Sequence, residues 1–492
     1  MNEKETRAET ETPENENKEA LLSTNYKYPV SIGYAAFVTF TVFGFVGAGL
    51  IFFDAPLELM FLMSWILVVP LLKVLGYKYS ELQQMAWDMA VSSFEPNVVL
   101  IVIGAMIAVW IASGTIPYII YLGLKFISPK VFLFSALLLS SFTSLATGTS
   151  WGTLGTVGLA LIGIGNAMGI PSPMTAGAII CGAYFGDKMS PLSDTTNLAP
   201  VAAGTTLFEH IRHMFYTTVP AALVCLVVYF IAGRTGMVVS SVDASAANEM
   251  TEGLASIYHF NVFLLLPLVV VLVGSAMGKP TIPVMFTASV LAGVLAIVFQ
   301  GATVAKVISA AYSGFSLSML GIDPETVTGS IKMLVERGGM TSMMATVLKV
   351  LCAFLFAGAM SAAGFMNAIL EKLKTFVHSD GTLILVTVIS VLIIALIVGN
   401  AYIPILMGGE LFSESFKERN LAPQNLSRTL EDAGTCSIPL VPWSAGGAYM
   451  SGTLGVSTFA YAPWAIFCYA GFCFAVLWGF TGFGIKKLNK DK

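Results

Sequence analysis

The chain has 492 residues, of which 56% are hydrophobic and 11% are charged, and its mean hydropathy is +0.80. Soluble globular proteins are about a quarter charged, so this composition excludes that class and indicates a protein that crosses a membrane several times. The formal net charge is −4, with much of the acid in the first 29 residues, which gives no support for nucleic-acid binding.

The two ends of the chain differ from the apolar part between them. Residues 1–29 are rich in Glu, Asn, Lys and Thr, which predicts a disordered acidic tail without the pattern of a signal peptide. Residues 30–484 carry the apolar runs and form a single predicted transmembrane domain. Residues 485–492 are rich in lysine, so the positive-inside rule predicts a cytoplasmic C-terminus.

The apolar runs predict an all-α polytopic membrane protein with about 11 to 13 transmembrane segments. They lie near 30–53, 57–72, 98–112, 116–127, 131–147, 152–168, 174–186, 217–233, 260–277, 281–299, 345–363, 383–399 and 462–484. An amphipathic stretch at 80–94 is typical of a helix that lies along the interface.

A polar tract interrupts these runs at residues 186–197, which read Gly-Asp-Lys-Met-Ser-Pro-Leu-Ser-Asp-Thr-Thr-Asn. Charged side chains at membrane depth are costly and usually functional, and Pro191 removes helical hydrogen bonds and so frees backbone carbonyls. Carboxylate, hydroxyl, amide and carbonyl oxygens are the ligands that hard cations prefer. The tract therefore predicts an ion-binding site with the candidate ligands Asp187, Ser190, Ser193, Asp194, Thr195, Thr196 and Asn197, of which Asp187, Asp194 and Asn197 are the candidate sodium ligands.

Asp187 and Asp194 are the expected carriers. Burial and a second carboxylate favour a protonated acid, whereas a bound cation favours an ionised one, so the pair would hold either sodium or protons. Exclusive binding with alternating access gives antiport, and we expect Asp194→Asn to abolish coupled exchange. Lys188 could neutralise Asp187 or point toward water. The alternative is a polar loop in which Asp194 caps the next helix.

A faint repeat with a period of about 250 residues relates the tracts 131–200 and 383–454. Its corresponding positions are Gly148 and Gly399, Pro171 and Pro423, and Pro191 and Pro439. Paired interrupted segments are typical of binding sites in secondary transporters, so we predict two inverted repeats with broken helices or re-entrant hairpins, with chance alignment as the alternative. The repeat adds the candidate residues Thr147, Thr149, Ser150, Asn400, Asp432, Thr435 and Ser437. Hydroxyls bonded back to their own helix are the alternative for the first-half cluster.

Catalysis and cofactor chemistry receive little support. Residues 148–152 match G-x-S-x-G, but they join two membrane runs rather than a strand and a helix, so an intramembrane hydrolase using Ser150 or Asp187 is a remote alternative. The six cysteines show no C-x-x-C spacing and the four histidines are scattered, which predicts neither a disulfide framework nor a zinc site. We expect that the protein is not an enzyme and uses no cofactor, and that sodium and protons are the ions it transports.

Three stretches, 147–153, 181–197 and 336–340, resemble the NhaC-type sodium/proton antiporter family. The resemblance covers most of the chain from about residue 30. It implies an inner-membrane carrier that exchanges protons for sodium, built from two inverted repeats whose hairpins meet near the midplane. It also implies relatives that exchange malate and protons for lactate and sodium, or that carry amino acids. The sequence does not separate these alternatives; an organic anion could use Arg337 or Arg428 if either is buried, and a homodimer is left open.

Overall fold

The computed structural model describes residues 30–234, 244–362 and 364–488, so the predicted acidic tail lies outside the described residues. The described residues form α-helices joined by short 3-10 and π turns, with an isolated β-bridge between Leu421 and Lys487. The prediction of an all-α protein is confirmed.

The helices follow one another closely along the chain. Those up to residue 234 are α1 (Ile32–Phe53), α2 (Leu57–Val74), α3 (Tyr79–Ser92), α4 (Phe94–Ala112), α5 (Thr115–Phe126), α6 (Pro129–Thr147), α7 (Ser150–Thr153 and Leu159–Ala167, joined by the π turn Leu154–Gly158), α8 (Ser172–Met189), α9 (Asp194–Ala203) and α10 (Leu207–Ala232). Those from 244 to 362 are α11 (Ala244–Ile257), α12 (Leu266–Ala276), α13 (Thr281–Gln300), α14 (Val304–Ser313), α15 (Gly329–Val335) and α16 (Met344–Ala362). Those from 365 onward are α17 (Phe365–Lys374), α18 (Asp380–Val398), α19 (Tyr402–Glu418), α20 (Pro423–Leu430, continued by the π turn Glu431–Thr435), α21 (Ala445–Leu454), α22 (Thr458–Tyr461) and α23 (Ile466–Thr481).

Several of these helices suit a bilayer. By length and composition, 8 helices among the described residues can cross a membrane: α1, α2, α4, α6, α10, α13, α16 with the turn before it, and α18. A pair bent by 102°, formed by α11 and α12, would make a ninth span, and α5 and α23 are shorter apolar helices. A multi-pass membrane protein is therefore confirmed, whereas the count of 11 to 13 segments and the inversion of the repeats stay predictions.

The two tracts related by the sequence repeat contain the same order of elements. Helices α6 and α18 both end at a left-handed glycine, Gly148 with φ 69° and Gly399 with φ 73°. A second helix follows in each tract, then a helix that begins at a proline turn, then a break and a short helix. The glycines allow each chain to reverse sharply, since a positive φ carries little strain without a Cβ atom.

Helix α8 lies directly on α6. A Cβ atom on Gly182 would lie 2.2 Å from the carbonyl oxygen of Leu137, and one on Gly186 would lie 2.4 Å from that of Ser141. Small residues spaced in this way let two membrane helices approach backbone to backbone. The Ser144 hydroxyl adds a hydrogen bond of 2.6 Å to the carbonyl of Ala183. This packing fixes the end of α8 that carries the polar tract.

Helix α9 packs among the helices of the second tract. Its buried residues Ala199 and Ala203 belong to an apolar cluster with Leu383 of α18 and Leu430 of α20. A Cβ atom on Gly409 of α19 would lie 2.5 Å from the carbonyl oxygen of Ala202, so these backbones also touch. Helix α9, which follows the break at Pro191, therefore lies beside α20, which precedes the break at Pro439.

Candidate ion-binding site

The polar tract forms a break between α8 and α9 that is capped by its own side chains. The Thr196 hydroxyl donates to the last carbonyls of α8, those of Asp187 (3.3 Å) and Lys188 (3.1 Å). The Asn197 amide donates to the carbonyls of Pro191 (2.8 Å) and Ser193 (2.7 Å). Carbonyls at a helix end need such partners, and these bonds hold the break in a defined shape.

Asp187 lies in a pocket of oxygen atoms at this break. It is 8% exposed, and the hydroxyls of Ser150 and Ser193 and the backbone N–H of Ser150 lie beside its carboxylate. Ser150 reaches this position because the chain turns at Gly148, where a Cβ atom would lie 2.5 Å from that of Leu192. The start of α7 and the end of α8 thus surround one buried carboxylate with hydroxyls.

A second carboxylate is connected to this pocket through Thr195. The hydroxyls of Ser193 and Thr195 are 3.4 Å apart, and Thr195 donates to Oε1 of Glu431 at 3.1 Å. Glu431 is fully buried at the end of α20, and its Oε2 has no protein hydrogen-bond partner. Two carboxylates and several hydroxyls from both tracts therefore meet in one buried region, a ligand set that suits a hard cation or protons.

Lys188 takes neither of the positions anticipated from the sequence. Its ammonium group forms an ion pair with Oδ1 of Asp432, and both side chains are fully buried. The same oxygen accepts a hydrogen bond of 3.2 Å from Thr217 of α10. Helix α23 passes over the pair at Gly471, where a Cβ atom would lie 2.8 Å from Oδ1 of Asp432. The ion pair therefore joins the end of α8 to the end of α20.

The remaining candidate residues lie around this centre. Asp194 is exposed at the start of α9, near the Tyr402 side chain, and Asn197 is exposed as well. Ser190 is buried and accepts from the N–H of Leu192 at 3.3 Å. Thr435 is buried beside Glu431.

Four further candidates have local partners on their own segments. They are Thr147, which donates to the carbonyl of Thr143 at 2.9 Å; Ser437, which donates to that of Ala433 at 2.5 Å; Thr149, which accepts from the N–H of Gly152 at 3.3 Å; and Asn400, which accepts from that of Ile403 at 3.0 Å. These bonds are the back-bonding and capping that hydroxyl and amide side chains commonly make near helix ends. The structure thus places Asp187, Ser150, Ser193 and Thr195 in the same buried region as Asp432 and Thr435, and a direct ligand role stays a prediction for all of the candidates.

Sequence reasoning missed Glu431 and Thr217. The available indication for Glu431 was its place next to Asp432 in the second tract, after a helix that begins at a proline. Glu410, an acid of the same tract that follows two glycines, is exposed. Thr217 lies inside an apolar run, where one hydroxyl gives no indication of its partner.

Comparison of the sequence with known proteins identified one matching family model and several similar proteins. The model of the Na+/H+ antiporter family matches residues 182–483. An uncharacterised Na+/H+ antiporter of Haemophilus influenzae is 42% identical over 445 residues, which cover 90% of this chain and 95% of that protein. The malate-2H+/Na+-lactate antiporter of Bacillus subtilis is 35% identical over 469 residues, which cover 94% of this chain and 96% of that protein. The Na+/H+ antiporter NhaC of Alkalihalophilus pseudofirmus is 38% identical, over 83% of this chain and 87% of that protein.

Proposed function

The chain belongs to the Na+/H+ antiporter family, as its resemblance in sequence predicted, and on that basis we propose that it exchanges sodium ions for protons across the cell membrane. The named relatives are antiporters, which supports transport rather than catalysis. In the proposal the membrane is the inner membrane, and the C-terminus with Lys486 and Lys487 lies in the cytoplasm by the positive-inside rule. A homodimer stays a prediction.

The observation that carries the proposal is the buried carboxylate of Asp187 with the hydroxyls of Ser150 and Ser193 around it. Through Thr195 the same network reaches Glu431. Neither Asp187 nor Glu431 has an ion-pair partner among the described residues, whereas Asp432 is paired with Lys188. The two unpaired acids are therefore the groups whose charge must be neutralised when the site is closed to water, because an isolated charge in a low dielectric is strongly disfavoured.

Sodium and protons can both supply that neutralisation. A sodium ion would bind the ionised carboxylate of Asp187 with the hydroxyl oxygens of Ser150 and Ser193, and protonation of the same carboxylate would remove the charge that holds the ion. The two cargoes therefore exclude each other at this carboxylate, which is the condition for antiport when the site opens to one side at a time. Asp194 and Asn197 lie at the exposed end of the tract, and in the proposal they act as outer ligands.

Transport by purified protein in sealed proteoliposomes tests this function. With an imposed pH gradient, we expect addition of sodium alone to drive proton movement, and we expect Asp187→Asn to abolish it. Asp88→Asn is a matched control, since it removes an exposed carboxylate on α3 far along the chain from both tracts. Asp194→Asn then decides whether the exposed acid takes part or only begins α9. Absence of sodium-driven proton movement in the unmodified protein would refute the proposal.

A sodium-coupled exchanger of organic acids is the second candidate. It is favoured by the relative named a malate-2H+/Na+-lactate antiporter and by Arg428, whose guanidinium group is fully buried with Nε and Nη2 lacking protein partners. A guanidinium fork suits a carboxylate better than any other side chain does. The same vesicles separate the candidates when malate is placed on one side and lactate on the other. Strict dependence of proton movement on an organic acid would favour this second function.

A further inference from the structure

A buried polar seam runs between α10 and α20 and ends at the Lys188–Asp432 ion pair. We define it by the side chains of His210, His213 and Thr217 on α10 and of Gln424, Ser427, Arg428 and Asp432 on α20. The members on α10 are three and four residues apart and so share one face of that helix. His213 and Gln424 are 5% exposed and the other members are fully buried. Such a row of polar groups inside a membrane protein is expensive and calls for a functional explanation.

Two contacts fix the direction of the seam. Nδ1 of His210 lies 2.9 Å from the hydroxyl of Ser427, and Thr217 donates to Asp432 at 3.2 Å. From the first contact to the second, the residue numbers increase on both α10 and α20, so the two helices run in the same direction. His213 therefore lies between the levels of these two contacts. The outer end of α20 is anchored to the C-terminal segment, since Ala422 N–H donates to the carbonyl of Lys486 at 2.9 Å. The seam therefore leads from the C-terminal end of the molecule to the ion-binding site.

Many polar atoms of the seam have no hydrogen-bond partner in the protein. They are Nε2 of His210, Oε1 of Gln424, Nε and Nη2 of Arg428, and both ring nitrogens of His213, which lies beside the backbone of Gly484 without hydrogen-bond geometry. A buried polar group without a partner destabilises a protein, so this arrangement opposes stability. Groups of this kind are where proteins hold ordered water, which makes two to four hydrogen bonds to them.

We propose that the seam is the route by which protons travel between the C-terminal surface and the ion-binding site, in relay with water molecules. Imidazole is the side chain best suited to exchange protons near neutral pH. In the relay, one ring nitrogen of His213 or His210 accepts a proton from water while the other releases its proton to the next oxygen atom. The ring then returns to its first tautomer by rotating or by exchange with water, so no group is consumed. The inference rests on the proposed sodium/proton exchange.

The positive charges that face the seam oppose the passage of sodium, and the imidazole nitrogens give protons a carrier that sodium lacks. Lys188 faces His210, while Arg428 and Lys486 face His213. The carboxylates beside this path are the exposed Glu209 at its outer end and Asp432, next to Glu431, at its inner end. A sodium ion would meet fixed positive charges and, among the described residues, no carboxylate between those ends, whereas a neutral imidazole can accept a proton on one nitrogen as it releases one from the other. Sodium would therefore use a different entrance, such as the exposed end of the polar tract at Asp194.

Two assays on the same proteoliposomes test the seam. One measures proton movement driven by sodium, and the other measures exchange of radioactive for unlabelled sodium at equal pH on both sides, which needs no proton transfer. Since positioned proton-transfer groups commonly accelerate a step about a hundredfold or more, we expect His210→Gln and His213→Gln each to slow proton-coupled exchange by about tenfold or more. Sodium–sodium exchange is expected to stay within about twofold of the unmodified rate. His378→Gln, which changes an exposed histidine, is the matched control and should alter neither rate.

Three outcomes overturn the inference. Unchanged proton-coupled exchange in both variants would show that protons take another route. Equal losses in the two assays would show that the histidines support packing rather than proton transfer. A slower sodium–sodium exchange with unchanged proton-coupled exchange would place the seam on the sodium path. Failure of the unmodified protein to couple sodium to protons would instead refute the proposed function, and the two failures are therefore distinguishable.

Discussion

The ion pair between Lys188 and Asp432 makes a quantitative prediction about stability. Lys188→Met leaves the carboxylate of Asp432 fully buried without its cation, and Asp432→Leu leaves the ammonium group of Lys188 in the same situation. Removal of one partner of a buried ion pair destabilises a protein by about 3–5 kcal/mol, whereas replacement of both by apolar groups is often nearly neutral. In this protein the double variant also removes one of the two acceptors of the Thr217 hydroxyl, which keeps the carbonyl of Met214 at 3.2 Å, so this loss adds about 1 kcal/mol or less.

We therefore expect each single variant to lose about 3–5 kcal/mol and the double variant to recover most of that loss. The free energy of unfolding, measured by denaturant titration of the protein in detergent, gives the coupling energy of the cycle, which should exceed about 2 kcal/mol. The pair Lys374–Glu371, three residues apart and with side chains 28% and 64% exposed, is the matched control. Its coupling energy should be about 0.5 kcal/mol or less.

A double variant whose loss equals the sum of the single losses to within about 0.5 kcal/mol would refute this reasoning, because it would show that the two charges do not depend on each other. The result also bears on transport assays. If Asp432 variants are this unstable, loss of exchange in them reports the loss of the structure that joins the two tracts and gives no information on ion binding.

Two further predictions concern the surroundings of the site. Gly471→Ala places a Cβ atom 2.8 Å from Oδ1 of Asp432, and we expect it to lower the free energy of unfolding by about 1–3 kcal/mol, whereas Gly47→Ala, with nothing within 4 Å of its Cβ position, should be neutral or slightly stabilising. Thermal unfolding of both variants measures the difference, and equal melting temperatures would contradict it. Tyr449→Phe removes a hydrogen bond of 2.7 Å to the carbonyl of Trp151 but keeps the stacked rings, so we expect a loss of about 1 kcal/mol in the same measurement, against none for Tyr312→Phe at an exposed position. A loss much larger than this would mean that the hydroxyl has a further role.

The general form of the fold could be predicted because membrane-spanning helices are recognised in a sequence as long runs of apolar residues. The run near 131–147 is helix α6 almost to the residue, since Gly148 ends it with a left-handed turn. The run predicted at 462–484 is shorter in the structure, where α23 begins at Ile466 after the turn that contains Pro463. Breaks of this kind make the number of spans hard to count from the sequence. A hydropathy run does not show whether a helix ends before it has crossed the whole membrane.

The centre of the site was only half predictable. Asp187, Ser193 and Thr195 are concentrated in one stretch of sequence, so the composition of that stretch identified them. The partner of Lys188 lies 244 residues away along the chain, and nothing in a single sequence measures that distance in space. Glu431 was missed for the same reason, because its importance comes from Thr195, which belongs to the other tract.

The contact between α6 and α8 limits how the protein can move. Where Gly182 and Gly186 bring the two backbones together, no flexible side chains lie between them to absorb sliding. In the proposed transport cycle, a rearrangement that opens Asp187 to one side of the bilayer and then to the other would therefore move the two helices as a single rigid body. Movement relative to the rest of the protein would then take place where the outer faces of this pair meet the neighbouring helices.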